Sequence, residues 1–284
     1  MAVKIIECPR DAMQGIKEFI PTADKVNYLN QLLQCNFDSL DFGSFVSPKA
    51  IPQMADTAEV LRQLDLSSTK TKLLAIVANE RGAQDACAFD EIKYLGYPFS
   101  ISETFQQRNT NASIAESLDR VKAIQDLCVR TNKELVVYIS MAFGNPYGDE
   151  WSSDIAIKWS KELHEKLGIN IIALADTIGV SNPENISYLF KALIPALPKV
   201  EFGAHLHTTP DKWQEKIVAA YEAGCRRFDG AIKGYGGCPM AADQLTGNMP
   251  TEKMMTELNA KNIETGVNME MFNLSLEASN RIFH

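Results

Sequence analysis

The sequence predicts a (β/α)8 TIM barrel, and three observations carry that prediction. Eight short runs rich in β-formers recur along the 284 residues, most of them continuously apolar, as strands buried on both faces should be. Helical patterns fill the gaps between them. Eight strand–helix units within about 260 residues match the barrel in count and in length. An open doubly wound sheet shares the alternation, but no Gly-x-Gly-x-x-Gly follows any strand, which argues against a dinucleotide site. No linker, low-complexity tract or shift in composition divides the chain, so residues 1–284 are expected to form one domain.

The first strand is expected at residues 3–8. A helix follows on which Val26, Leu29 and Leu33 recur at helical spacing behind Thr22 as N-cap. The second and third strands fall at 39–43 and 72–77, and the fourth, at 97–102, is interrupted by Pro98. The fifth and sixth fall at 134–140 and 170–175, and Asn182 then caps a helix opening on Pro183. After the seventh strand, at 200–205, Thr209-Pro210 repeats that device. It precedes an apolar stripe of Trp213, Ile217, Ala220 and Tyr221, which Gly224 stops. The eighth strand is expected at 227–232, with a closing helix from Thr251 and a final one near 269–282.

Composition excludes several functions. A formal charge of −8 argues against nucleic acid or an anionic membrane as partner. Six scattered cysteines with no Cys-x-x-Cys pair fit a reduced cytosol rather than a disulfide framework. The first residues hold no apolar signal core, and no apolar stretch approaches the roughly 20 residues that cross a bilayer. A soluble, cytoplasmic protein is expected.

A barrel places its chemistry at the C-terminal ends of its strands. Those ends carry Arg10, Asp11, Asp41, Ser44, Asn79, Glu103, Ser140, Asp176, Thr177, His205, His207 and Lys233. The chain has four histidines, and two of them, His205 and His207, lie one residue apart on a strand, so both imidazoles aim the same way. With Asp11 they offer one carboxylate and two imidazoles to a divalent ion, leaving positions open for water or substrate. Asn248 offers a fourth, amide ligand. Oxygen and nitrogen donors without a thiolate suit Mg²⁺ or Mn²⁺, with Zn²⁺ and Co²⁺ also compatible. Cys238, in Gly236-Gly-Cys-Pro239, is a loop thiol that a nearby cation would activate as acid or base. Cys8 is expected to pack at the end of the first strand, and the other four cysteines to be helix-facing core.

Several longer motifs accompany these residues: Ser44-Phe-Val-Ser-Pro-Lys49 with Pro52-Gln-Met-Ala-Asp56, Ala175-Asp-Thr-Ile-Gly-Val180, and Thr246-Gly-Asn248 followed by Glu252. Together with Arg10-Asp11, the His-x-His pair and Cys238, they resemble the DRE-TIM metallolyases, and among these most closely the 3-hydroxy-3-methylglutaryl-CoA lyases. The resemblance spans essentially the whole chain. It implies metal-assisted cleavage of an acyl-CoA substrate to acetyl-CoA and acetoacetate, and a homodimer acting in leucine breakdown. It also implies that Asp11, His205, His207 and Asn248 hold the ion and that Arg10 faces the thioester carbonyl. Ser44, Asn79, Thr177 and Glu252 are expected beside the substrate, and Cys238 is expected to share proton transfer with Asp41 or a ligand histidine. Lys17 and Lys49 are candidates for the CoA phosphates.

The chain departs from the family pattern in four places. Arg10-Asp-Ala-Met-Gln-Gly-Ile16 replaces a more usual Arg-Asp-Gly-Leu-Gln-Asn-Glu. Asp41 stands for a glutamate, Thr208 for an aspartate and Asn145 for a cysteine. These changes leave the substrate open to a related 3-hydroxyacyl thioester or a free hydroxy acid. Two rival readings are a Claisen-type condensing enzyme, whose usual extension after the barrel is not seen, and a non-catalytic ligand-binding barrel.

Overall fold

A computed structural model of the chain describes residues 2–237 and 246–283. Its strands are β1 (Lys4–Glu7), β2 (Ser39–Ser44), β3 (Lys72–Ile76), β4 (Ile92–Ser100), β5 (Glu134–Ser140), β6 (Ile171–Asp176), β7 (Glu201–Thr208) and β8 (Arg227–Gly230). Each pairs in parallel with the next, and β8 pairs back onto β1, so the sheet closes into the expected barrel. A ninth strand, β9 (Gly247–Asn248), runs antiparallel on β7 and sets Asn248 opposite His207. The early helices are α1 (Pro9–Gln14), α2 (Thr22–Leu33), α3 (Thr57–Arg62) and α4 (Glu80–Cys87). Next come α5 (Glu103–Thr110), α6 (Ile114–Arg130), α7 (Ser153–Leu167) and α8 (Pro183–Ala196). The last are α9 (Trp213–Glu222), α10 (Thr251–Ala260) and α11 (Met269–Ala278). Among the described residues no helix is long and apolar enough to cross a membrane.

Local chemistry explains most of the helix starts. Asn79, Ser102 and Ser152 each accept a backbone N–H of the first turn, while Ser113 and Asn182 form reciprocal capping boxes. Two expected caps are corrected. Thr22 is the first helical residue of α2, behind Pro21, and its hydroxyl donates to Asp56 at 2.8 Å. Thr209 turns its hydroxyl to Asp211 at 2.6 Å, so a further turn intervenes before α9.

The fourth strand is also corrected, because it begins five residues before the expected position and carries Pro98 inside it. In a parallel strand the N–H and C=O of one residue face the same neighbour, and alternate residues face alternate neighbours. Gly96 faces β3, its carbonyl accepting Val77 N–H at 2.9 Å, and the β3–β4 ladder ends there. Pro98, two residues on, therefore lacks its N–H where no ladder bond is required.

The barrel lumen is filled by Leu74, Tyr94, Val136, Tyr138, Ile171 and Ala173, and a larger apolar layer joins the barrel to its helices. Toward the lower end the lumen also holds a charged side chain. Arg227 is fully buried beside Glu201, and it lies over Gly203, where an added Cβ would meet its Cδ at 3.0 Å.

Glu7, at the end of β1, is fully buried and accepts Ile232 N–H at 2.8 Å and the Thr251 hydroxyl at 2.6 Å. Burial pushes its carboxyl up to about 8, against the pull of those two hydrogen bonds. The unfolded chain loses this proton near 4.5 while the folded chain keeps it to about 8, so stability falls as pH rises through that window. Glu7→Gln is expected to flatten this slope. Calorimetric melting between pH 5 and pH 8 measures it, and an unchanged pH dependence would contradict the assignment.

Candidate active site

The C-terminal mouth of the barrel holds a cleft of about 240 Å³ with two unlike walls. Arg10, Asp11, Gln14, His205, His207 and Thr177 form one side, and Val46, Ile51, Ile76, Ala78 and Pro98 contribute the other. Ser44 and Ser140 line it as well. Mostly apolar walls with a few convergent polar groups are the usual form of a small-molecule site.

Arg10 and Asp11 lie on the short helix α1, which places Gln14 one turn away on the same side. The Arg10 guanidinium spans the polar wall. Its Nε and Nη2 donate to the Asp41 carboxylate at 2.5 to 3.2 Å, and its Nη1 donates to Asp11 at 3.0 Å and Gln14 at 2.9 Å. Burial works against the Arg10 cation, but the Asp41 and Asp11 charges outweigh it and hold the guanidinium firmly protonated. Burial pushes the Asp41 carboxyl up to about 6, with Arg10 opposing.

Asp11, His205 and His207 each present a ligand atom within 4.8 Å of the others. The imidazoles are fixed from behind, because His205 Nδ1 meets Asp229 Oδ2 at 3.1 Å and His207 Nδ1 meets the Thr177 carbonyl at 3.0 Å. A ring that donates Nδ1–H to a carbonyl keeps Nε2 as a free lone pair. His207 Nε2 is indeed buried, with no hydrogen-bond partner among the described residues. Burial, reinforced by the neighbouring His205, pushes His207 down to about 4, so it is neutral at physiological pH. For His205, burial is outweighed by the hydrogen bond and charge of Asp229 and by Asp11, and its basicity rises. Burial of Asp11 is likewise outweighed, here by Arg10 and both imidazoles, and its carboxyl stays below the usual range.

Asn248 lies beside this group. Opposite residues of an antiparallel pair share a face, so the β7–β9 register puts its amide beside His207. Its Nδ2 donates to Asp11 Oδ2 at 2.7 Å and to the Tyr235 carbonyl at 2.8 Å. A carboxylate, two oriented imidazoles, one of them with its Nε2 unpartnered among the described residues, and an amide beside them fit a divalent cation. Cys8, His205 and Asp229 also approach one another. That group does not suit an ion, because His205 would have to use the nitrogen already bonded to Asp229. Burial also pushes the Cys8 thiol well up.

The remaining candidates divide by position. Ser44 and Thr177 reach the cleft, although the Ser44 hydroxyl donates to the Ile76 carbonyl at 3.3 Å and the Thr177 hydroxyl accepts Met141 N–H at 2.9 Å. Three other candidates lie away from the cleft lining. Asp41 sits behind Arg10, 1% exposed with both oxygens bonded to it, a placement that holds the guanidinium in position. Asn79 lies outside the cleft lining because its side chain caps α4 through Gly82 N–H at 2.9 Å. Glu252 also lies outside it, bracing the chain after β8 through Lys233 N–H at 2.8 Å. Cys238 falls outside the described residues. Lys17 and Lys49 are both exposed, and Cys87 is half-buried rather than core. Gln14 and Asp229 were not anticipated. The only trace of Asp229 in the sequence is a charge at every second position in Arg227-Phe-Asp229.

Comparison with known proteins adds to this geometry. Residues 2–276 match the HMGL-like family model. The hydroxymethylglutaryl-CoA lyase of Bacillus subtilis is 33% identical over 270 residues, covering 92% of this chain and 86% of that protein. The 3-hydroxy-3-isohexenylglutaryl-CoA/hydroxy-methylglutaryl-CoA lyase of Pseudomonas aeruginosa is 34% identical over 269 residues, covering 94% and 88%. An HMG-CoA lyase structure from Acinetobacter baumannii, in complex with coenzyme A and 3-methylmalate, superposes with a TM-score of 0.89 at 28% identity. It covers 99% of this chain and 91% of its own.

Proposed function

Because the chain belongs to the HMGL-like family, we propose that it is a metal-dependent carbon–carbon lyase that cleaves 3-hydroxy-3-methylglutaryl-CoA to acetyl-CoA and acetoacetate. The observation that carries this reading is the convergence of Asp11, His205 and His207 within 4.8 Å in the lining of an open cleft. Asn248 is the proposed fourth ligand. A divalent ion held by these residues supplies Lewis acidity to the substrate hydroxyl and carboxylate.

The reaction removes the proton of the tertiary hydroxyl and breaks the carbon–carbon bond. The hydroxyl carbon becomes the ketone of acetoacetate, and the electron pair passes to the thioester fragment as an enolate, which is then protonated at carbon. Arg10 faces the cleft, and its guanidinium stabilises the enolate oxygen. Asp41, Asp11 and Gln14 hold that guanidinium in one orientation before substrate arrives. Ser44 and Thr177 offer hydroxyls to the bound acyl group. Cys238, with one of the ligand histidines, is the proposed carrier of the proton.

Hard oxygen donors with imidazole favour Mg²⁺ or Mn²⁺ as the ion. One catalytic domain over residues 1–284, a homodimer, a cytoplasmic setting and a role in leucine breakdown rest on the family resemblance. The apolar wall of Val46, Ile51, Ile76, Ala78 and Pro98 supports a broader reading in which thioesters with a larger 3-substituent are cleaved too.

Incubation with 3-hydroxy-3-methylglutaryl-CoA and Mg²⁺ or Mn²⁺ is expected to release acetoacetate. Chelator is expected to abolish the activity and added ion to restore it. A metal-loaded protein that releases none, but condenses acetyl-CoA with a 2-oxo acid, would transfer the site to the rival chemistry.

A further inference from the structure

Lys216 occupies the face of α9 that packs on the barrel, next to Ile217, and it is 0% exposed. An ammonium group so placed must pair all its protons, and it does. It donates to Asp176 Oδ2 at 2.8 Å, to the Gly179 carbonyl at 3.1 Å and to the His207 carbonyl at 2.8 Å. Asp176 is equally buried, and it also accepts the Ser181 N–H and hydroxyl. One side chain on the outer helix thus ties the end of β6, the turn at 177–181 and the end of β7 into a single unit.

That unit grips His207 at both ends. Its backbone carbonyl is bonded to Lys216 directly, while its ring Nδ1 is bonded to the Thr177 carbonyl, in the turn that Lys216 anchors on either side. Thr177 is further fixed by Met141 N–H. The same turn reaches the segment bearing Asn248. Gly179, at φ 74°, has so little room there that an added Cβ would lie 2.6 Å from Thr246 Cγ2.

We propose that Lys216 is a positioning residue for the metal site: by bonding the His207 carbonyl and anchoring the 177–181 turn, it holds the His207 ring with Nδ1 protonated and Nε2 directed at the ion. The proposal rests on the metal reading given above and extends it to a residue that touches neither ion nor substrate. A buried ion pair alone would require only Asp176, whereas the two carbonyl bonds are what place His207.

Lys216→Met leaves Asp176 charged and unpaired in the interior, so the deciding protein is the Lys216→Met/Asp176→Asn double variant, which removes that charge. Its Mn²⁺ dissociation constant, measured by electron paramagnetic resonance, is expected to rise roughly 10- to 100-fold over the parent. In metal-free protein, ¹⁵N spectra of the four histidines are expected to show His207 as the single Nδ1–H tautomer in the parent and as a tautomer mixture in the double variant. A folded double variant with parental Mn²⁺ affinity would overturn the proposal, and so would a parent whose His207 carries its proton on Nε2. Should the double variant not fold, the parental tautomer decides. A parent that binds no Mn²⁺ would remove the metal reading itself. One that binds Mn²⁺ as tightly as the double variant removes only the role of Lys216.

Discussion

Asp11→Asn is expected to abolish Mn²⁺ binding and to lower the rate of substrate cleavage on the order of 10³-fold or more, which corresponds to about 4 kcal/mol of transition-state stabilisation. The substitution removes the one anionic ligand and preserves its shape. Arg10 keeps its contacts with Asp41, so the polar wall stays assembled. Thermal shift separates lost binding from lost folding. An ion at 100 times its dissociation constant stabilises the native state by about 2.7 kcal/mol. The parent should therefore melt higher with Mn²⁺, while Asp11→Asn should melt at one temperature with or without it. If the variant still responds to Mn²⁺ as the parent does, the ion lies elsewhere.

Arg10→Met is expected to reduce kcat about 10²- to 10³-fold, the range found when one donor to a developing oxyanion is removed. Stability should fall as well, because Asp41 and Asp11 would lose their shared cation at a buried position, a loss of about 3–5 kcal/mol. Two effects from one residue are separable. Adding Asp41→Asn removes the stranded charge and should recover most of the melting temperature while leaving kcat low. If that double variant regains parental kcat, Arg10 is structural and the oxyanion role falls.

The barrel was legible because its strands are continuous apolar runs at regular spacing, and the His205–His207 pair was legible because a spacing of two on a strand fixes direction. Direction is also where legibility ended. Reading Arg10 and Asp11 as a strand-end loop hid Gln14, which shares their side of the mouth only because residues 9–14 coil into a helix. Asn79 met the strand-end criterion and Glu252 came from the family motif, yet each spends its side chain on a backbone N–H. Asp41 was read as sharing in proton transfer, and its place behind Arg10 depends on how far a guanidinium reaches. Lys216 gave no sign at all, since a lysine within an amphipathic stripe usually keeps its ammonium in water.

The donors gathered at the mouth come from the two ends of the chain, Asp11 just after β1 and Asn248 on the short strand laid against β7. Between those places runs the β1–β8 junction, where a linear polypeptide becomes a ring. An ion held by these residues would therefore need the circle already shut. Such an ion would clasp the junction, so loading with Mn²⁺ is expected to slow the opening of the barrel as well as equip it for chemistry.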